Sequence, residues 1–383
     1  MDKLPKGWEN KKLIDCIELI NGRAYKQEEL LDAGTPVLRI QNLNGGSNWY
    51  YSNLELPKKN YCYAGELLFA WSASFGPYIW SGEKAIFHYH IWKVISKQNI
   101  NEKFAYYFLE HFTKEVRNHT VGVAMFHITK SKMEQIPIYL PPLPEQIRIV
   151  SKLDTLFGRI DKSIALLEEN IKHTNGLTAS VLEEIFVDGK NWERQPLNQV
   201  AKVERGKSKH RPRNDQKLFG DSYPFIQTGD VRSANKYIDK YEVCYSEFGL
   251  KQSRLWNKGT ICLTIAANIG DVAILGFDAC FPDSVVGITP NSMNNEFLYY
   301  YLKTLQLQLD KKANSAAQKN INLKILSEID VPVPSIEIQN SIADRFSRLE
   351  EKQFQILSVQ QSKLNYLKAL KSSLLDRAFK GEL

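Results

Sequence analysis

Leu140-Pro141-Pro142-Leu143-Pro144-Glu145-Gln146 opens a stretch that runs to Gly189 and contains no further proline. Three prolines end the preceding extended segment and set the approach to a helix start. Beyond them apolar residues recur at Leu153, Phe157, Ile160, Ile164, Leu167, Ile171, Val181 and Ile185, with Thr174 and Thr178 at the two positions between. The steps alternate four and three, which is the spacing of a heptad seam. Gly189 follows where a helix C-terminal cap belongs. At about 1.5 Å per residue, a helix of about 40 residues reaches roughly 60 Å. Its single apolar stripe needs a partner to cover it.

The chain supplies one. Pro332-Val333-Pro334-Ser335-Ile336-Glu337-Ile338-Gln339 opens a second run of similar length that ends Phe379-Lys380-Gly381-Glu382-Leu383. Gln339 minus Gln146, Pro334 minus Pro141 and Phe379 minus Phe186 are each 193. The globular parts repeat as well. Trp192 minus Trp8, Leu197 minus Leu13 and Gly206 minus Gly22 are each 184. Pro224 minus Pro36 is 188, and an offset of 194 holds from Gly65/Gly259 through Ala85/Ala279 and Phe87/Phe281. The short apolar runs bounded by glycine predict strands joined by tight turns. Asn101 and Asn295 each head an amphipathic pattern and are expected to cap a helix. A short helix at Thr129–Gln135, or Asn322–Glu328, and a strand at Ile136–Leu140, or Ile329–Val333, then lead into the long runs. The expected fold is α+β: two similar mixed α+β domains and two long antiparallel helices that form a coiled-coil spacer in a pseudo-twofold arrangement. The expected boundaries are 1–142, 143–189, 190–335 and 336–383. A period this long means two duplicated domains rather than a solenoid.

At 383 residues the chain is long enough for more than one core. The net charge of +7 fits a polyanion-binding surface and fits simple solubility equally well. Five cysteines, Cys16, Cys62, Cys244, Cys262 and Cys280, form no C-x-x-C pair and read as reduced thiols packed as small apolar residues. No apolar signal region opens the chain, and the most apolar run, Thr260–Phe277, is broken by Asn268 and Asp271. A cytoplasmic protein without membrane contact is expected.

The sequence has no G-x-S-x-G elbow, no G-x-x-x-x-G-K loop, no H-E-x-x-H pair, no zinc ribbon and no N-P-P-[YF] motif. His88-Tyr89-His90 would turn two imidazoles to one strand face, but no third metal ligand accompanies them, so a pair satisfied within the strand is expected. What the loops do carry is basic and aromatic side chains. Arg205-Gly206-Lys207-Ser208-Lys209-His210-Arg211-Pro212-Arg213-Asn214 suits phosphate contacts, and its counterpart Asn21-Gly22-Arg23-Ala24-Tyr25-Lys26-Gln27 is basic at the same place. The candidate nucleic-acid-binding residues are Arg23, Tyr25, Lys26, Asn42, Lys207, Lys209, His210, Arg211, Arg213 and Arg232, joined by Gln318, Lys319 and Asn320 ahead of the second short helix; a solvated charged loop is the alternative reading of the basic residues. The Trp71-Ser72-Ala73-Ser74 turn is read as core and support. The first copy carries Thr120–Thr129 where the second carries Asn314–Asn322, with different side chains. Unlike tips on like frames suit readers of two different half-sites; drift after duplication gives the same pattern.

With these elements in place the sequence resembles the specificity subunit of type I restriction–modification systems, over essentially its whole length. The carriers are L-P-x-G-W-E at Leu4–Glu9, P-P-L-P-E-Q-x-x-I-V at Pro141–Val150, A-Q-K-N-I at Ala317–Ile321, and the tandem domain–helix order. The second opener lacks the Leu-Pro, and the second proline element reads Val-Pro-Ser-Ile-Glu-Ile-Gln. The resemblance implies that each domain reads one half of a bipartite double-stranded DNA target and that the paired helices set the spacing. It implies a non-catalytic chain that binds no cofactor or metal itself. Two methyltransferase subunits would bring S-adenosylmethionine, and restriction (translocase/nuclease) subunits would use ATP and Mg. Two alternatives stay open: a protein–protein scaffold, and a specificity subunit of a methylation-only or fused nuclease–methyltransferase system.

Overall fold

The structure is a computed structural model, and it describes residues 5–119, 128–186, 192–266, 269–312 and 323–383. The chain forms two compact units, Met1–Glu168 with Ser362–Leu383, and Glu169–Gln361. Each long helix therefore gives one part of its length to each unit, so the units cut across the four-part division read from the sequence.

In the first unit, β1 (Glu9–Lys12) and β2 (Ile17–Asn21) are followed by β3 (Leu67–Ala70), β4 (Gly76–Ile79) and β5 (Ile91–Ser96). Then come α1 (Glu102–His119), α2 (Lys130–Glu134), β6 (Pro137–Leu140) and the long α3 (Leu143–Phe186). The main sheet has the antiparallel order β2-β5-β3-β4, with Ile17 opposite Ser96 and Asn21 opposite Trp92. β1 pairs with β6, Glu9 opposite Leu140, so the opener closes on the strand that feeds the long helix. A second four-stranded sheet is built from Thr35–Leu38, Tyr50–Ser52, Tyr61–Cys62 and Ala85–Phe87.

The second unit repeats this frame. It contains β7 (Arg194–Pro196), β8 (Ala201–Arg205), β9 (Tyr237–Ile238), β10 (Ile261–Thr264), β11 (Val272–Leu275) and β12 (Val285–Pro290). These precede α4 (Asn295–Lys312), α5 (Leu323–Ser327), β13 (Asp330–Pro332) and the long α6 (Ile336–Phe379). Its sheet runs β8-β12-β10-β11-β9, with Ala201 opposite Pro290 and Arg205 opposite Val286. Both sheets tile the expected apolar runs: β3 and β10 are buried along their whole length.

The caps correct one expectation. Asn101 heads α1, accepting at Oδ1 from the Lys103 and Phe104 amides at 3.0 and 3.1 Å. In α4 the cap is Asn294, not Asn295: Asn294 Oδ1 accepts from the Phe297 amide at 2.8 Å. The Asn295 amide donates instead to the Gly259 carbonyl at 2.8 Å, tying the helix start to the sheet. Asn294 minus Asn101 is 193, the offset of the long helices, so the caps belong to the same repeat. Gly189 and Asn322, expected at helix ends, lie outside the described residues.

Each long helix is seated on its own unit by a buried glutamine. Gln146 donates to the Pro141 and Asn99 carbonyls at 2.8 and 3.0 Å and accepts from the Asn101 amide at 2.7 Å. Gln339 donates to the Pro334 carbonyl at 2.8 Å and accepts from the Asn294 amide at 2.8 Å. Both side chains are buried, so these bonds satisfy glutamine amide groups that water cannot reach. The helix start is thereby bonded to the cap of the helix beside it.

Along α3 the predicted seam is buried or half-buried at every position, while Leu166, off the seam, is 52 % exposed. Within the first unit the seam covers α6: Lys371 donates to Asp161 at 2.9 Å, and Lys368 meets Glu168 at 3.5 Å. Within the second unit Gln360 donates to Thr174 Oγ1 at 3.2 Å, Gln353 donates to the Thr174 carbonyl at 2.6 Å, and Thr178 donates to Gln353. In each unit the α6 number falls as the α3 number rises, so the two segments are antiparallel. The two threonines are not gaps in the seam. They are polar rungs met by glutamines, a device that fixes register.

Candidate nucleic-acid interface

Both basic loops leave their sheets at a glycine for the same steric reason. A Cβ on Gly22 would lie 2.2 Å from the His88 carbonyl oxygen, and one on Gly206 would lie 2.3 Å from that of Pro282. Only glycine lets the two backbones approach this closely. The Gly22 amide donates to the Ile91 carbonyl at 3.0 Å and the Gly206 amide to that of Val285 at 2.9 Å. The frames match; the side chains on them do not.

In the first loop Arg23 is a fork on Glu29, with contacts of 2.9 and 2.6 Å. That guanidinium and the Lys26 amide hold the Glu29 carboxyl below its usual range. Arg23 thus braces the loop. Tyr25 lies half-buried with Arg23 over its ring, and burial pushes its phenol well above the usual range. Its hydroxyl is buried without a partner among the described residues. Lys26 is exposed, and its ammonium group meets Glu28 at 3.6 Å. Asn42 is buried: its Oδ1 accepts from the Arg39 amide at 3.1 Å, and its Nδ2 donates to the Gly46 and Asn48 carbonyls at 3.2 and 2.9 Å. The amide is consumed by its own turn, so Asn42 stands as a support of that turn rather than a contact offered outward.

In the second loop Lys207 and Lys209 are exposed, and their ammonium groups meet no partner among the described residues. His210 contacts Asp215 at 2.8 Å, and the Lys217 amide together with that ring holds the Asp215 carboxyl below its usual range. Arg211 donates to the Ser208 and His210 carbonyls at 2.6 and 2.8 Å. Arg213 forks onto Asp283 at 2.8 and 3.0 Å, and Arg205 donates to the Asp283 carbonyl. Arg232 is exposed on the short helix Thr228–Ser233. Gln318, Lys319 and Asn320 lie outside the described residues. The loop is thus a folded basic surface, with inner arginines bracing the backbone and two lysines presented outward.

The turn at Trp71, read as core and support, packs against the core of the first unit and adjoins the first loop. Trp71 Nε1 donates to the Tyr89 carbonyl at 2.7 Å, and its ring stacks on Trp92 at 6.0 Å. The Tyr89 amide donates to the Arg23 carbonyl at 3.0 Å. Asn21, Gly22, Trp71, Tyr89, Trp92, Ile128, Thr129 and Lys130 line an open cavity of about 320 Å³. The signal available in the sequence was the 194 offset, which sets Trp71 against Ile265 and Tyr89 against Asp283. His88 lies 5.0 Å from His90, ring to ring, and burial pushes it down to about 4. Among the described residues His111, Glu115 and Asp376 also stand close enough to share an ion, but Lys380 already meets Asp376 at 2.8 Å. No helix among the described residues is long and apolar enough to cross a membrane.

Known proteins share this organisation. The type I restriction modification DNA specificity domain matches residues 5–172 and again 189–366. The type I restriction enzyme EcoBI specificity subunit of Escherichia coli is 26 % identical, covering 98 % of this chain and 86 % of that protein. The putative MjaX specificity subunit of Methanocaldococcus jannaschii is 24 % identical, covering 100 % of this chain and 95 % of that protein. A chain from a structural study of complex assembly in a type I R-M system superposes with a TM-score of 0.81 at 20 % identity, covering 100 % of both chains. The HsdS subunit of Thermoanaerobacter tengcongensis superposes at 0.61 with 21 % identity, covering 100 % of this chain and 98 % of that one, and both likenesses are of fold. With two domain matches set end to end on a duplicated frame, the chain belongs to the type I restriction–modification DNA specificity family and is a DNA sequence-specificity subunit.

Proposed function

We propose that the two globular parts read the two halves of a bipartite duplex target, and that α3 and α6 together set the distance between the halves. The observation that carries this is the pair of glycine-gated loops: one backbone frame, two unlike sets of side chains. Equal frames give equal placement on DNA, and unlike tips give unlike sequence preference. In this reading Lys26, Lys207, Lys209 and Arg232 meet phosphates, Arg23, His210, Arg211 and Arg213 hold the loops in shape, Tyr25 supports the first loop and Asn42 supports its own turn. Gln318, Lys319 and Asn320 keep their proposed place as contacts of the second reader.

The chain itself performs no chemistry here. Two methyltransferase subunits carry S-adenosylmethionine, restriction subunits carry ATP and Mg, and the assembly works in the cytoplasm. The four-part division at 142, 189 and 335 is kept as a functional division of readers and ruler.

The experiment uses the full chain with its methyltransferase partner. Lys207→Gln with Lys209→Gln should weaken duplex retention and flatten its decline with salt by about two phosphate contacts. Unchanged retention and salt slope would remove the second loop from the interface. The ruler is tested separately by one matched heptad in each helix, between Glu168 and Thr174 and between Gln361 and Lys368. The spacer in the methylated target should lengthen by about 10 Å, or three base pairs, with both half-sites unchanged. Altered half-sites at constant spacing would show the assignment of roles to be wrong.

A further inference from the structure

The cavity beside the first loop is built unlike a phosphate site. Trp92, 3 % exposed, and Trp71 form an aromatic floor, Ile128 is buried beside them, and Tyr89, 40 % exposed, stands at the rim. Asn21, Thr129 and Lys130 add polar side chains to its lining. Hydrogen bonds hold the wall in place. Trp71 is fixed by its bond to the Tyr89 carbonyl and by its own amide, which donates to the His90 carbonyl at 3.1 Å. Tyr89 is fixed through its amide to Arg23, so the slot and the basic loop are one piece. The second unit keeps the backbone and discards the chemistry. The Ile265 amide donates to the Ser284 carbonyl at 3.0 Å, the same bond at the same offset, while Asp283 replaces Tyr89 and is gripped by Arg213.

An apolar slot gains nothing from a hydrogen-bonding base edge, which would lose water there without a partner. Of the edges exposed in the major groove, only that of thymine carries an apolar group, its C5-methyl, beside the O4 acceptor. The Tyr89 hydroxyl has no partner among the described residues and can donate to such an acceptor. We propose that the first unit reads its half-site through this slot, with Tyr89, Trp71 and Trp92 receiving the C5-methyl of a thymine. At the matching described positions the second unit holds Ile265 and Asp283 in place of Trp71 and Tyr89, so no such apolar reading is proposed there. The proposal rests on the reading of the first unit as a DNA reader.

The test begins with the methylated target of the host, found by sequencing, from which duplexes are made with single thymine-to-uracil replacements. Uracil keeps O4 and lacks only the methyl. The full chain with its methyltransferase partner should bind one such duplex in the first half-site about fourfold more weakly than the thymine parent, the worth of one buried methyl. Tyr89→Ala should bring that ratio close to one. Tyr89→Phe should keep the ratio and lower affinity for both duplexes. Lys209→Gln, a control in the other loop, should weaken both equally. A first half-site indifferent to every uracil replacement overturns the slot while leaving the two-reader function standing. A complex that retains no duplex at all overturns that function instead, and the slot with it.

Discussion

The two junctions between a globular unit and its long helix share one frame and place their charges differently. In the first, Lys103 on α1 meets Asp154 on α3 at 2.6 Å, and the Tyr107 hydroxyl donates to Asp154 at 2.6 Å. In the second, the same positions, 193 residues on, hold Glu296, Ser347 and Tyr300. The cation now comes from elsewhere: Lys236 donates to Glu296 at 2.9 Å and to Ser347 at 2.8 Å, while Tyr300 donates to Glu350 at 2.8 Å. The first pair is open to water, Lys103 being 57 % exposed, whereas Lys236 is 14 % exposed. Duplication preserved what the backbone requires, the glutamine and the aromatic helix, and let the charges be re-partnered. Two similar domains can therefore depend on their ion pairs to very different degrees.

The difference between the two junctions is greatest at Glu296. Glu296→Lys leaves Lys236 enclosed with a second cation and should cost about 3 kcal/mol or more, read as loss of thermal stability. The reverse change in the first unit, Lys103→Glu, should cost less than about 1 kcal/mol, because water screens that pair. Equal losses would mean that exposure does not decide the difference. Next come the glutamines. Gln146→Leu strands the Asn101 amide and two carbonyls, and Gln339→Leu strands the Asn294 amide and one. Losses of about 3 and about 2 kcal/mol are expected in denaturant unfolding. A larger effect at Gln339 would contradict the bonding described.

Acid should separate the units further. Burial holds the folded His88 down to about 4, below its ordinary 6.5. The unfolded chain therefore binds the proton first, and stability falls as pH drops from about 6.5 toward 4. Burial alone would raise Glu296, but its bonds from Tyr237, Lys236 and Ser347 outweigh this and hold it below the carboxylate range. Its contribution is present above the unfolded value, about 4.3, and is lost as pH falls below that. Hydrogen exchange on acidification should thus loosen the His88 region before the Glu296 junction. His88→Gln should abolish the earlier step, and an unchanged early step in that variant would assign it to another group. The smallest effect is expected at the seam. Thr178→Val should alter stability by only about 1 kcal/mol, since the Gln353 amide keeps its bond to the Thr174 carbonyl. A larger loss would make the threonine hydroxyl itself a main support of the helix pairing.

Much of the fold was legible because it is periodic. The seam from Leu153 to Ile185 and the prolines before it announce a long helix in any context, and the 193 offset doubles it. The misplaced cap shows the limit. Asn295 heads the same Asn-Glu pair as Asn101, but local spacing does not say which of two adjacent asparagines faces the helix amides and which the Gly259 carbonyl. The candidate site was legible as charge and not as availability. Arg23 and Arg213 read as phosphate ligands until Glu29 and Asp283, six and 70 residues away, are seen to hold them.

Spacing along the chain fixes the duplication, the long heptad helices and the glycines that gate the basic loops, and its motifs carry the family resemblance. Tertiary structure alone decided which cations are occupied, which tyrosine is exposed beside which tryptophan, and which glutamines meet which threonines across the seam. Those outcomes depend on partners far apart in sequence, brought together only when the apolar surface is buried. The energy of a charge or an amide is set by the water it has lost and the partner it has gained.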